Sequence, residues 1–220
     1  MIKPAASAFS KISSELPPVA QRGADGERRA HIMDMGEALF LEQGFQGASM
    51  AEIAARAGCS KGTLYNYFES KDELFLACVA RHCRGLQADM ASLARSGGET
   101  RQTLTDIGRS YVQFVSSDAI VRRFRMIAAE GERAPEISRA FYAMGPLRGV
   151  ETLRDYIEDA IAAGALRACD PTRAARNFFA LCNGHRIKAR LCNAEAEPTP
   201  AEIEADVAEA VRVFMAGYGV

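Results

Sequence analysis

The 220 residues are 48% apolar and 25% charged with a net charge of -1, the balance of an ordinary globular protein, which excludes wholesale disorder and a membrane-embedded chain. The first twenty residues mix Ser, Ala, Pro and Lys without a long apolar run, so neither a secretory leader nor a spanning helix is expected, and the cytoplasm is the expected compartment. Cys59, Cys78, Cys83, Cys169, Cys182 and Cys192 lack the paired spacing of a disulfide framework and are expected to stay reduced.

Strand-like alternation is absent, and apolar residues recur at three and four throughout, so the fold is read as all-α. Residues 1–21, with Pro4, Pro17 and Pro18 among small polar residues, are expected to form a flexible tail. A first helix should run from about Gly26 to Gln43, bury Ile32, Met35, Gly36, Leu39 and Phe40, and stop at Gly44. Ser49 with Glu52 has the spacing of a capping box and opens a second helix, which ends at Gly58, where a sharp reversal needs positive φ. Ser60 caps a short third helix through Tyr67, and Ser70 with Glu73 repeats the box ahead of a longer helix towards Leu93. Past Gly97-Gly98, helices are expected over 99–116, 119–130, 135–144, 147–163, 171–191 and 200–217, with Gly145-Pro146 as a breaker. Pro135, Pro171 and Pro200 suit first-turn positions, and Asp170 and Thr199 can cap the last two helices.

The stretch Ser49 to Phe68, SMAEIAARAGCSKGTLYNYF, has the order helix, Gly-containing turn, helix of a helix-turn-helix. Ile53, Ala54 and Ala57 face inward. With about 100° per residue and Leu64 at the centre of the buried face of the second helix, Phe68 falls beside it and Gly62 and Asn66 lie opposite. Thr63 and Tyr65 flank that outward face, and Lys61 projects from the helix start. Gly62 removes bulk where a backbone must approach base edges, and Asn66 has the paired donor and acceptor that adenine presents a match for. Charge alone gives no sign of a nucleic-acid partner, because residues 22–84 carry eight Lys and Arg against nine Asp and Glu. Phosphate contacts must come from placement, and Arg22, Arg28, Arg29, Arg56, Lys61 and Lys71 do sit at helix ends and turns.

Residues 30–79, AHIMDMGEALFLEQGF through SMAEIAARAGCSKGTLYNYFESKDELFLACV, closely resemble the DNA-binding domain of TetR-family regulators. The resemblance implies an N-terminal three-helix helix-turn-helix domain, 22–70, and a larger helical ligand-sensing and dimerisation domain, 71–220. It implies base-facing or backbone-contacting roles for Lys61, Gly62 and Thr63, phosphate contacts for Tyr65, Tyr67 and Lys71, and a helix-start phosphate contact for Ser49. Ala51 stands where some relatives carry a base-reading basic residue. Residues 123–150, RFRMIAAEGERAPEISRAFYAMGPLRGV, and the later GALRACDPTRAARNFFAL resemble the C-terminal domain of an AefR-like subgroup. The implied protein is a homodimeric repressor on a near-palindromic operator duplex, released by an unidentified small-molecule effector, with no cofactor and no membrane partner.

Helical spacing supplies candidates for the body. An effector pocket is expected to draw on Tyr111, Phe114, Phe124, Met126, Phe141, Tyr142 or Phe178, with Asn183, His185 or an arginine for polarity. The wide apolar stripes of the last two helices make Phe179, Cys182, Val207, Val211, Phe214 and Tyr218 the expected dimer contacts, the alternative being that they face only the protomer's own core. Two rival readings stand beside this one. Cys78 and His82 share a helix face and, with Cys83, offer the start of a metal- or thiol-responsive site; a helical protein-interaction module would bind no specific duplex. No nucleophile elbow, phosphate loop or dinucleotide fingerprint is present, so an enzyme is not expected.

Overall fold

The computed structural model describes residues 24–220, so the tail expected over 1–21 lies outside the described residues. Within them regular structure is helical, apart from one antiparallel bridge between Leu166 and Gly219. There the Arg167 N–H donates to the Tyr218 carbonyl at 2.8 Å.

Helix α1 (Ala24–Gly47) buries Ile32, Met33, Gly36, Leu39 and Phe40, while Met35 is only partly covered. Its ladder breaks at Gly44, where φ is +75° and ψ 169°, a conformation that costs a residue with a Cβ about 1–3 kcal/mol. Then come α2 (Met50–Arg56), α3 (Lys61–Tyr67) and α4 (Lys71–Ala94). The α2–α3 reversal turns on Gly58 at φ +61°.

Farther on are α5 (Thr100–Ser116), α6 (Asp118–Glu130) and α7 (Pro135–Tyr142), then α8 (Arg148–Ala162), α9 (Pro171–Asn183), α10 (Arg186–Leu191) and α11 (Pro200–Tyr218). Two expectations fail here. Gly145-Pro146 does not break the chain into a loop: Ala143–Leu147 wind as a wider π turn that accommodates Pro146. The helix expected over 171–191 is split instead at Gly184, whose φ of +48° ends α9.

The chain forms two compact units, one reaching to His82 and including Met126–Tyr142, the other made of Cys83–Arg125 and Ala143–Val220. The first therefore extends beyond the boundary expected at residue 70. The physical reason is that Leu74, Phe75 and Cys78, at the start of α4, are core residues of the same unit as α1. Gly36 permits that approach, since a Cβ there would stand 2.9 Å from Leu74 Cδ2. Phe40, Phe45 and Phe75 form its aromatic centre, with Phe75 edge-on to both at centroid distances of 5.2 and 5.1 Å.

In the second unit α5, α9 and α11 enclose a core of Leu104, Ile107, Ala174, Phe178, Val207 and Phe214, with α8 contributing Leu153 and Ile157. Gly108 lets these helices meet: a Cβ there would lie 3.0 Å from Val207 Cγ1 and 3.3 Å from Phe178 Cζ. The buried Arg190 guanidinium donates to the Ser116 and Glu195 carbonyls, each at 3.1 Å, and pairs with Asp118.

Candidate nucleic-acid interface

Two short helices must be held rigidly to present a reading surface, and their ends show how. Ser49 caps α2, its Oγ accepting the Glu52 N–H at 3.2 Å. The reciprocal half of the expected box is not made: Glu52 instead accepts from Gln43 Nε2 at 2.7 Å. Ser60 caps α3, accepting the Thr63 N–H at 3.0 Å, and its hydroxyl also pairs with that of Thr63 at 2.9 Å. Ser70 accepts the Glu73 N–H at 3.1 Å, while the Glu73 carboxylate reaches past it to the Glu69 N–H at 2.6 Å. A complete box, with both halves made, lies elsewhere, between Thr199 and Glu202 at the start of α11.

Leu64 and Phe68 are buried, at 0% and 1% exposure, and anchor α3 from beneath. Lys61, Gly62, Tyr65 and Asn66 are exposed together on its outer side, and Thr63 is half-buried. Tyr65, half exposed, is a large side chain left in solvent. At Gly62 a Cβ would meet only Ser60 Oγ, 3.8 Å away. Folding therefore leaves that position open to a larger residue.

The remaining predicted contacts are arranged differently. Tyr67 is half-buried, and its hydroxyl donates to Asp25, a bond that raises the phenol's pKa. Lys71 Nζ donates to the Phe45 carbonyl at 2.7 Å and the Ala48 carbonyl at 3.0 Å, and stands 4.4 Å from the Phe45 ring centroid. Arg56, one of the basic residues placed at a helix end, is paired with Glu42 at 2.6 Å, and its hydrogen bond holds that carboxyl below the usual range. Asp25 was not anticipated as part of the site. It lies 42 residues from Tyr67, and no local pattern links the two.

The body residues divide between the two units. Met126, Phe141 and Tyr142 belong to the first, while Tyr111, Phe114, Phe124, Phe178, Asn183 and His185 belong to the second. Tyr142 is 56% exposed, and His185, just past the Gly184 break, is exposed and bonded to Glu195 at 3.0 Å. Phe178 is wholly buried, edge-on to Phe214 at 5.3 Å. Tyr111 and Asn183 do converge: Asn183 Nδ2 donates to the Tyr111 hydroxyl at 2.9 Å, and Phe179 lies 4.3 Å from the Tyr111 ring. Burial pushes that phenol up to about 12. Asn183 Oδ1 is buried with no partner.

The expected dimer contacts are found packed within one protomer, the alternative that their stripes left open. Phe179, Cys182, Val207, Val211 and Phe214 are each at most 7% exposed in the single chain, so most of their surface is already covered by the protomer's own core. Tyr218 is half-buried, its ring against Phe214 and its hydroxyl accepting from Asn177. The stripes are wide because α9 and α11 each face α5 as well as one another.

The Cys78, His82 and Cys83 trio does not converge either. Cys78 Sγ donates to the Met33 carbonyl at 3.4 Å, and His82 Nε2 meets both oxygens of the buried Glu37 at 2.8 and 2.9 Å. Arg81 joins Glu37 at 3.0 Å and Asp34 at 2.8 Å. Burial pushes the Cys78 thiol up to about 12 and the Cys83 thiol to about 11, away from the thiolate that a metal requires. Among the described residues no three His, Cys, Asp or Glu side chains are grouped to hold a metal ion.

Comparison with known proteins adds two family matches. Residues 32–78 match the profile described as bacterial regulatory proteins, tetR family, and residues 102–220 match the AefR-like transcriptional repressor C-terminal domain. Among curated proteins, the transcriptional repressor NemR of Escherichia coli is 27% identical over 169 residues, 75% of this chain and 85% of that protein. The transcriptional activator FasR of Mycolicibacterium smegmatis is 36% identical over 93 residues, a stretch spanning only 42% of either chain. Among solved structures, the flavonoid-responsive regulator FrrA is 32% identical with a TM-score of 0.74, covering 88% of this chain and 98% of that one. A TetR-family regulator from Mesorhizobium loti shares the fold at a TM-score of 0.82, with 24% identity, 90% of this chain and all of the other being covered.

Proposed function

Since this chain belongs to the TetR family of DNA-binding transcription regulators, a family of non-enzymatic proteins, with an AefR-like C-terminal domain, we propose that it is a repressor released from its operator by a small molecule. The observation that carries the reading is the outer side of α3, where Lys61, Gly62, Tyr65 and Asn66 stand exposed above the buried Leu64 and Phe68. In the docked state Lys61, Gly62, Thr63 and Asn66 meet base edges, while Tyr65 and Ser49 meet phosphates. A single α3 spans only a few base pairs. The active form is accordingly a homodimer whose two heads enter major-groove half-sites about 34–36 Å, or a multiple, apart on a near-palindromic duplex. Its interface uses the outward faces of α9 and α11, where Ala180, Ala205, Ala208 and Val213 are exposed. Such a protein works in the cytoplasm, and no described helix is long and apolar enough to cross a membrane.

The effector enters the second unit near Tyr111 and Asn183. Asn183 Oδ1, buried without a partner, is satisfied by an O–H or N–H donor on the ligand, which offsets a desolvation cost of about 1–3 kcal/mol. Phe179 and Tyr111 supply an aromatic wall, consistent with a relative described as flavonoid-responsive. Repression is favoured over activation because the relative named a repressor matches most of its own length, whereas the one named an activator matches over 42%. Binding shifts the population towards a body conformation in which the heads no longer fit consecutive grooves.

The test is selection of genomic fragments by the purified protein, footprinting of the best fragment, and a metabolite screen for its release. Protection of a two-fold site, with higher expression of the adjoining gene on deletion of the regulator, supports the reading. Lower expression on deletion establishes the activator reading, and a protein that selects no duplex is an interaction module instead.

A further inference from the structure

The segment from the Gly44 kink to Ser49, comprising the last turn of α1 and the loop that leads into α2, is gripped from outside itself. Past the Gly44 kink, the carbonyls at the end of α1 have no intrahelical donors, the ordinary condition of a helix C-terminus. Lys71 supplies what they lack, bonding the Phe45 carbonyl at 2.7 Å and the Ala48 carbonyl at 3.0 Å while lying 4.4 Å from the Phe45 ring centroid. The Ala48 carbonyl immediately precedes Ser49, the α2 cap. A second hold on the same segment comes from Gln46, whose Nε2 donates at 2.7 Å to the buried Glu130. Lys71 opens α4, where a positive charge opposes the helix dipole. Its placement there is explained by the carbonyls it satisfies.

We infer that Lys71 is a positioning residue for operator recognition: its ammonium locks the α1–α2 loop, fixes where α2 begins, and thereby sets the attitude of α3, without contacting phosphate. The inference rests on the DNA-binding reading above. α2 and α3 pack directly on one another, so a loose α2 start spreads the orientations of Lys61, Gly62 and Asn66 at the groove. The clamp acts in the free protein, before any duplex is present.

The two roles differ in their salt dependence. A lysine that neutralises a phosphate releases counterions, and its loss lowers the slope of log affinity against log salt by about 0.9. A clamp contributes no such term. The experiment uses the full chain, unaltered and as Lys71→Met, which keeps the aliphatic stem on Phe45. Each is titrated at several salt concentrations with the duplex selected by the unaltered protein, and amide exchange over residues 45–57 is measured without DNA. The expected result is a roughly 5- to 20-fold weaker affinity at an unchanged salt slope, with faster exchange across the loop and α2. A slope reduced by about one unit, an unchanged affinity, or unchanged exchange each overturns the inference. If the methionine variant does not fold, Lys71→Gln, which keeps a neutral donor, is put through the same measurements with the same criteria. Failure of the unaltered protein to select any duplex is a separate result, and it counts against the DNA-binding reading itself.

Discussion

Gly62→Ala separates folding from function at one atom. An added Cβ has only Ser60 Oγ near it, at 3.8 Å, so the protein incurs no steric cost, and replacing glycine in a helix favours the folded state by up to about 1 kcal/mol. The same methyl projects from the exposed side of α3, where the proposed complex brings backbone against base edges. A misfit there costs about 1–3 kcal/mol, a roughly 5- to 150-fold loss of affinity at 1.4 kcal/mol per decade. Urea denaturation followed by circular dichroism reports stability, and fluorescence anisotropy on the selected duplex reports affinity. The expected variant is as stable as the parent, or more so, and binds markedly worse. A variant equally stable and equally tight would refute the placement of Gly62 at the groove.

Other outcomes follow from packing and ionisation. Gly85 and Gly108 lie in the same unit, but a Cβ at Gly85 meets nothing within 4 Å while one at Gly108 presses on Val207 and Phe178. Because the helix-propensity gain is common to both, Gly108→Ala should be less stable than Gly85→Ala by about 1–3 kcal/mol in urea; equal midpoints would contradict the crowding at α5. At pH 8 a thiol reagent should label the exposed Cys192 first and leave Cys78, Cys83 and Cys182, whose thiols burial pushes up to about 12, 11 and 12, unmodified until unfolding. Rapid modification of Cys78 in the folded protein would reopen a thiol-sensing role. Glu42, Asp118 and Glu202 are held below their ordinary pKa, by Arg56, by Arg190 and by the Thr199 N–H respectively. Their contribution is complete above the unfolded carboxylate range and is lost as pH falls through and below it, from about pH 4.5 downward. Thermal unfolding should move to lower temperature over that window, and Asp118→Asn should flatten part of the fall; a midpoint constant from pH 6 to pH 3 would rule the linkage out.

The reading head was legible in the sequence because its signals are local. Ser60 three residues before Thr63, Gly58 at the reversal and Leu64 four before Phe68 act within a turn or two, and each lies where that spacing requires. The body was less legible, for a reason visible in α9 and α11. An apolar stripe announces that something covers it but not what does, and Phe179, Cys182, Val207, Val211 and Phe214 are covered by their own chain. Gly184 and Gly145-Pro146 were misjudged for a related reason. Whether a glycine ends a helix depends on the backbone angle that tertiary packing imposes, and the φ of +48° at Gly184 has no local mark.

What makes the local motif a surface of fixed orientation is non-local. Tyr67 is tied to Asp25 across 42 residues, Lys71 to Phe45 across 26, and Gln46 to Glu130 across 84. Each tie uses a polar side chain that a helix-turn-helix pattern leaves unassigned or gives to DNA. In the proposed complex a residue that faces solvent in the motif, such as Lys61, serves the duplex directly, whereas one whose donors are already engaged serves it by holding the frame. The near-neutral charge of residues 22–84 fits this division, since Arg56 and Lys71 are engaged within the first unit. In the proposed complex a small number of outward groups on α3 carries the recognition, and the accuracy with which they are presented decides how much affinity they give.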